Sequence, residues 1–164
     1  MDRTTFASSI LPGDTVIHLV GVSYPDPSKV DLFRSIDLVS IRECAAAAKD
    51  AGAHHFIYLS VAHPTPVMKE YVEVRKSGEQ IIQDTRMHVT IVRPWYVLGP
   101  GHRWPIVLSP LYALASLVPS LRDGAQRLGL VTIRQMVNAL LFAVRNIPEK
   151  WRVIEVPDIR RESW

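Results

Sequence analysis

The sequence predicts an α/β fold with a parallel sheet, and two observations lead to this prediction. Short apolar runs rich in β-branched residues recur along the chain, and helix-length segments separate them. Continuous apolar runs are typical of strands buried on both faces, and their alternation with helices indicates βαβ units. The length of 164 residues, without an internal repeat or a clear linker, predicts one domain over residues 1–164.

Four apolar runs are the expected strands. The first runs from Thr15 to Val22 and ends in a Tyr-Pro-Asp-Pro turn, and the others cover residues 55–61, 88–92 and 152–156. Each run is four to eight residues long, which is the ordinary length of a buried strand. We therefore expect a parallel sheet of at least four strands.

Helices are expected over residues 28–51, 67–85, 108–118 and 132–146, from apolar and small residues recurring every three or four positions. Gly52 is a typical helix end. The expected inward faces are Phe33, Ile36, Ser40, Cys44 and Ala47 in the first helix; Val67, Tyr71, Val74, Gly78, Ile81 and Thr85 in the second; and Met136, Leu140 and Val144 in the last.

Composition excludes several classes of function. Residues 67–164 carry 14 of the 19 Lys and Arg, but no basic run exceeds two residues and no nucleic-acid reader motif occurs. The six histidines lack the spacing of a metal site. The most apolar stretch, residues 105–119, is shorter than the roughly 20 residues of a spanning helix. We expect no nucleic acid, no metal and no transmembrane segment.

The cysteine content indicates the compartment. Cys44 is the only cysteine, so the chain has neither an internal disulfide nor a Cys-based zinc site. The N-terminus carries Asp2 and has no long apolar core, which is unlike a signal peptide. We therefore expect a cytoplasmic location.

Three residues near the end of the second strand predict a site for carbonyl chemistry. Ser60 closes the strand, and Tyr71 and Arg75 follow four residues apart, on one face of a helix. A guanidinium near a phenol favours the phenolate and lowers the tyrosine pKa from about 10. Such a tyrosine exchanges a proton while a serine hydroxyl holds a carbonyl oxygen. The alternative is a core aromatic, because Tyr71 lies on the apolar stripe.

The order of these pieces resembles the atypical and extended short-chain dehydrogenases/reductases, including NmrA-like and epimerase-like NAD(P)-binding proteins. The similarity covers residues 14–158. It rests on the series HFIYLS, Tyr71-x-x-x-Arg75-x-x-x-Glu79 and IVRPWYVLGPG. The resemblance implies a partial Rossmann-type parallel sheet with flanking helices, the C-terminal part of the doubly wound fold, and NAD or NADP as cofactor.

The resemblance also assigns residues. Ser60 and Tyr71 match the family's catalytic Ser and Tyr, and Arg75 matches the Lys that grips the nicotinamide ribose. The cofactor-binding positions it implies are Val20, Gly21 and Val22 beside the adenine ribose, and Pro94, Trp95 and Val97 beside the nicotinamide ring.

Two departures from the family pattern bear on function. Arg75 replaces the Lys, which keeps the charge but changes the hydrogen-bonding geometry. The first βαβ unit with its GxxGxxG loop, which cradles the pyrophosphate, has no counterpart in the sequence. The strand from Thr15 to Val22 would then be an open edge. We expect a homo-oligomer, or a partner that pairs with this strand.

Two functions follow from the sequence. One is hydride transfer on a small carbonyl or sugar-like substrate by an NAD(P)-dependent oxidoreductase or epimerase. The other is a non-catalytic scaffold or regulatory protein that has lost nucleotide binding.

Overall fold

The computed structural model describes residues 3–23, 25–65, 67–99 and 128–161. Four parallel strands form the main sheet, namely β1 Thr15–His18, β2 His55–Leu59, β3 His88–Arg93 and β6 Trp151–Glu155. Their spatial order in the sheet is β1-β2-β3-β6. The α/β fold class with a parallel sheet and flanking helices is confirmed.

The α-helices are α1 Val30–Leu32, α2 Val39–Ala51, α3 Lys69–Gln83, α4 Ile133–Arg145 and α5 Val156–Ile159. Short 3-10 turns lie at Arg3–Thr5, Ala7–Ser9 and Pro27–Lys29, and a π-helical segment at Phe33–Leu38 joins α1 to α2. Gly52 ends α2 in the left-handed conformation, with φ 74°, as its position predicts. Thr132 and Gln135 form a capping box at the start of α4.

The side chains of the strands alternate between two apolar layers. Phe56 and Tyr58 of β2 pack with Ile41 and Ala48 of α2 and Ile82 of α3. The opposite face of the sheet packs on α4 and α5, and its members include Ile57, Val92, Met136, Ala139 and Ile159. Helices on both faces bury the sheet, which explains the continuous apolar runs in the sequence.

Several predicted boundaries and faces are wrong, for identifiable reasons. The first strand ends at His18, and further along the chain the Val22 N–H donates to the Asp37 carboxylate at 3.0 Å. The helix predicted over 28–51 is interrupted by the 3-10 turn and the π-helical segment. Ile36, expected inside, is 41% exposed, whereas Asp37 is 1% exposed. Hydrophobic periodicity assigns Asp to the surface of a helix, but the Asp37 side chain is buried and forms an ion pair with Arg75.

The inward faces of α3 and α4 are also displaced from the predicted stripes. In α3 the buried residues include Arg75, Glu79 and Ile82, whereas Val67 precedes the helix and is exposed. In α4 the buried residues are Met136, Ala139 and Ala143, and Val144 is exposed. Alanines pack closest to the sheet on this helix, so the larger apolar side chains flank the contact.

A second, two-stranded parallel sheet is absent from the sequence prediction. It pairs β4, Tyr96–Leu98, with β5, Leu130–Thr132. Both strands are three residues long, too short to give a pattern. The helix predicted over 108–118 lies outside the described residues. No helix in the described ranges has the length and apolarity to cross a membrane.

Candidate functional site

A cavity of about 630 Å³ opens at the carboxyl ends of β2 and β3. This is the edge at which doubly wound sheets bind their ligands. Six of the nine residues predicted for the site line it: Ser60, Tyr71, Arg75, Pro94, Trp95 and Val97. Its other lining residues are Ser23, Pro25, Asp26, Leu59, Val61, Met68 and Tyr96.

The two strand ends are held together by backbone hydrogen bonds. Ser60 N–H donates to the Val92 carbonyl and Ala62 N–H donates to the Pro94 carbonyl, each at 2.8 Å. These bonds continue the pairing of the two chains beyond the strands, as far as Ala62 after β2 and Pro94 after β3. Ser60 and Trp95 both line the cavity at this edge, and the Trp95 ring lies 5.3 Å from the Tyr96 ring between centroids.

The remaining three predicted residues lie beside the cavity. Val20 and Gly21 are exposed, and Val22 is half-buried with its N–H bonded to Asp37. The chain enters the lining at the next residue, Ser23. Val20, Gly21 and Val22 therefore precede the cavity lining in the chain and are not part of it.

Arg75 is buried and engaged on several sides. Its Nη2 lies 2.6 Å from Asp37 Oδ1, with side-chain exposures of 6% and 0%. Its Nη1 donates to the Leu59 carbonyl at 3.0 Å and lies 3.5 Å from the Tyr58 hydroxyl. Within the described residues, Nε has no hydrogen-bond partner. The Arg75–Asp37 pair thus joins α3, the π-helical segment and the end of β2.

Gly21 makes this arrangement possible. A Cβ atom built on Gly21 would lie 2.0 Å from Arg75 Nη2 and 3.0 Å from Asp37 Oδ1. Any larger residue would displace the loop or the ion pair. Gly21 therefore serves the packing of the Arg75–Asp37 pair.

Tyr71 is held between an aromatic ring and the guanidinium. Its ring lies 5.0 Å from the Phe33 ring, and Arg75 Cζ lies 5.2 Å from its centre. Burial raises the pKa of Tyr71 above its ordinary value of 10.0, although the Arg75 charge acts in the opposite direction. The predicted lowering is wrong, because desolvation of the phenolate outweighs the cation.

Ser60 also belongs to a buried polar cluster whose other members are not among the three predicted catalytic residues. Its hydroxyl donates to Glu79 Oε1 at 2.6 Å, and Arg93 holds the same carboxylate through Nε at 3.0 Å and Nη2 at 2.5 Å. His63 Nε2 lies 3.5 Å from Glu79. Burial alone would raise the pKa of Glu79, but the bonds from Arg93 and Ser60 hold it below 4.5.

The ionised Glu79 can only accept hydrogen bonds, so the single hydroxyl proton of Ser60 points to it. Ser60 therefore presents lone pairs, and not a proton, to any other partner. The sequence pattern did not single out Asp37, and it assigned no role to Arg93 or Glu79, although both stand within the motifs that carry the resemblance. The signal for Glu79 was its position four residues after Arg75, on the same helix face.

Comparisons with known proteins bear on the fold. No family model and no curated protein matches the sequence. Among solved structures, MoeE5 in complex with UDP-glucose and NAD is similar with a TM-score of 0.70 and 16% identity, over 97% of this chain and 64% of that one.

Two further solved structures show the same likeness. A short-chain dehydrogenase/reductase superfamily protein from Agrobacterium tumefaciens with bound NAD gives a TM-score of 0.64 and 16% identity, covering 93% of this chain and 62% of that one. The UDP-N-acetylglucosamine 4-epimerase from Bacillus cereus gives 0.66 and 12%, over 93% and 62%.

These likenesses define the fold class. The chain has the Rossmann-type parallel sheet of the NAD-dependent epimerases and short-chain dehydrogenases/reductases, and it spans 64% or less of each of these three chains. The comparisons do not show that this chain is NmrA-like.

Proposed function

We propose that the cavity binds the nicotinamide end of an NAD-type dinucleotide beside a small carbonyl or sugar-like substrate. The observation that carries the proposal is the joint placement of Tyr71, Pro94, Trp95 and Val97 around one cavity at the carboxyl edge of a parallel sheet. Structures with this fold contain NAD, which supports the choice of ligand.

The lining fits part of such a ligand. A volume of about 630 Å³ is within the range of small-molecule sites, and the walls are mainly apolar and aromatic. Trp95 and Val97 would flank a flat ring, and the Tyr71 hydroxyl would donate to a ligand oxygen. A bound nicotinamide would supply hydride exchange.

Two polar residues suit a ligand less well than the resemblance implies. Arg75 has Nη1 and Nη2 engaged, and its Nε is buried, so the guanidinium is poorly placed to grip a ligand. Ser60 directs its proton to Glu79 and would have to break that bond to hold a carbonyl oxygen. Both observations favour a second candidate, a non-catalytic binding or assembly protein on the same scaffold.

Calorimetric titration with NADH and NADPH tests the proposal. Dissociation constants in the micromolar range are expected for at least one of them. Trp95→Ala should weaken binding at least tenfold, because it removes an aromatic wall of the cavity. Trp151→Ala is the matched control, since Trp151 begins β6 and is 57% exposed. No binding at millimolar dinucleotide would contradict the proposal and favour the scaffold.

We also propose that the protein is cytoplasmic. Cys44 is buried and free, as suits a reducing compartment.

We further propose self-association, or binding of another chain, through β1. In the described sheet β1 pairs only with β2, and Ile17, Leu19 and Val20 at this edge are exposed. Such an edge supports strand pairing with a second chain.

A further inference from the structure

The Asp37 carboxylate connects the loop after β1 to α3. Oδ1 lies 2.6 Å from Arg75 Nη2, and Oδ2 accepts from Val22 N–H at 3.0 Å. The side chain of Asp37 is fully buried. One carboxylate oxygen is therefore ion-paired with the guanidinium, and the other accepts a backbone hydrogen bond.

The guanidinium is fixed on its other sides as well. Nη1 bonds the Leu59 carbonyl at 3.0 Å, and the backbone of Gly21 closes over Nη2 so tightly that no side chain fits there. A planar fork held at two nitrogens cannot turn toward another partner without losing a buried bond. The Arg75 charge therefore remains beside the Asp37 charge.

The Arg75–Asp37 ion pair affects the electrostatic environment of the Tyr71 phenol. Arg75 Cζ is 5.2 Å from the Tyr71 ring centre, a distance at which a lone cation would favour the phenolate. Asp37 Oδ1 lies 2.6 Å from Arg75 Nη2, so its negative charge acts on the Tyr71 phenol in the direction opposite to that of Arg75. Other titratable groups near this cavity are Asp26 and Tyr96 in its lining, Tyr58 behind Arg75, and Glu79 beneath Ser60.

We propose that Asp37 is a positioning residue that keeps Arg75 in an internally neutral ion pair, so that Tyr71 meets a ligand as a neutral hydrogen-bond donor. The inference rests on the proposed function only in that it concerns the same cavity. Burial keeps the pKa of Tyr71 above its ordinary value while Asp37 opposes the effect of Arg75, in agreement with this geometry.

The experiment is an NMR titration of the five tyrosines, with ¹³C at Cζ and the Tyr71 signal assigned by Tyr71→Phe. Asp37→Asn keeps an acceptor for Val22 N–H but exposes Tyr71 to the uncompensated Arg75 charge. We expect a downward shift of the Tyr71 pKa. Asp31→Asn, the same change at an exposed position of α1, is the matched control and should leave it unchanged.

A second variant covers the case in which Asp37→Asn does not fold because Arg75 is left unpaired. The double variant Asp37→Asn with Arg75→Gln removes both charges and retains an amide pair. Its Tyr71 pKa should remain near that of the unsubstituted protein. An unchanged or raised pKa in Asp37→Asn, or a large shift in the double variant, would overturn the proposal.

The titration uses no dinucleotide, so it separates this inference from the proposed function. If NADH fails to bind while the Tyr71 pKa falls in Asp37→Asn, the proposed function is wrong and the role of Asp37 stands. If NADH binds and the pKa does not change, the proposed function stands and Asp37 has only a structural role.

Discussion

Acidification from pH 7 to 5 should destabilise the protein through two buried histidines. His18 and His55 are 3% and 0% exposed, and burial lowers the pKa of each to about 4. Arg75 adds to the effect at His18, and His88 and Arg152 add to it at His55. The unfolded chain therefore takes up protons below about 6.5, and the folded chain does not until about 4.

The size of the stability loss follows from the pH interval in which the unfolded chain binds protons at these histidines and the folded chain does not. The stability these residues contribute is complete above about 6.5 and declines as the pH falls toward 4. From pH 6.5 to 5, the contribution of each histidine to the free energy of unfolding falls by about 2 kcal/mol, at about 1.4 kcal/mol per pH unit. The two together amount to about 4 kcal/mol, a large part of the stability of a typical domain, about 5–15 kcal/mol.

Urea denaturation at pH 7 and at pH 5, followed by circular dichroism, measures this loss. In His55→Gln, which keeps a polar group for the Thr90 hydroxyl that His55 Nε2 meets at 2.9 Å, about half of the pH dependence should disappear. Equal stability at the two pH values would refute the reasoning, as would a full pH dependence in His55→Gln.

Three further predictions concern the Arg75–Asp37 pair and the β1 edge. Arg75→Met should cost about 3–5 kcal/mol of unfolding free energy in urea, because it leaves a buried carboxylate unpaired. The double variant Asp37→Leu with Arg75→Met should cost clearly less, and an equal cost would exclude the pairing. Gly21→Ala should cost about 1–3 kcal/mol through its clash with Arg75 Nη2, whereas exposed Ser23→Ala should be near neutral in the same assay. Light scattering after gel filtration should show concentration-dependent association that Ile17→Lys weakens, and a monomer at all concentrations would contradict pairing through β1.

The strands were predictable because their physics is local. Runs such as residues 55–59 and 88–93 are apolar on both faces, and the sheet is covered on both sides. The ends of these strands gave Ser60, Pro94 and Trp95, because ligands in such sheets meet the carboxyl edge. The cavity therefore follows from the order of the elements along the chain.

The charged interior was not predictable in the same way. Asp37 and Arg75 are 38 positions apart, and only the tertiary fold shows that each satisfies the other. Periodicity arguments place charged residues on the surface, so they predicted Ile36 on the inward face of the helix, where the structure has Asp37. The same rule left Glu79, the acceptor of the Ser60 proton, outside the predicted inward face of its helix, although Glu79 is buried.

Binding of the nicotinamide end of a dinucleotide in the cavity is tested most directly by NMR mapping with the two halves of NAD. Nicotinamide mononucleotide should shift the backbone amides of Ser60, Trp95 and Val97, and AMP at the same concentration should leave them in place. The same shifts with both halves, or none with nicotinamide mononucleotide at millimolar concentration, would contradict the claim.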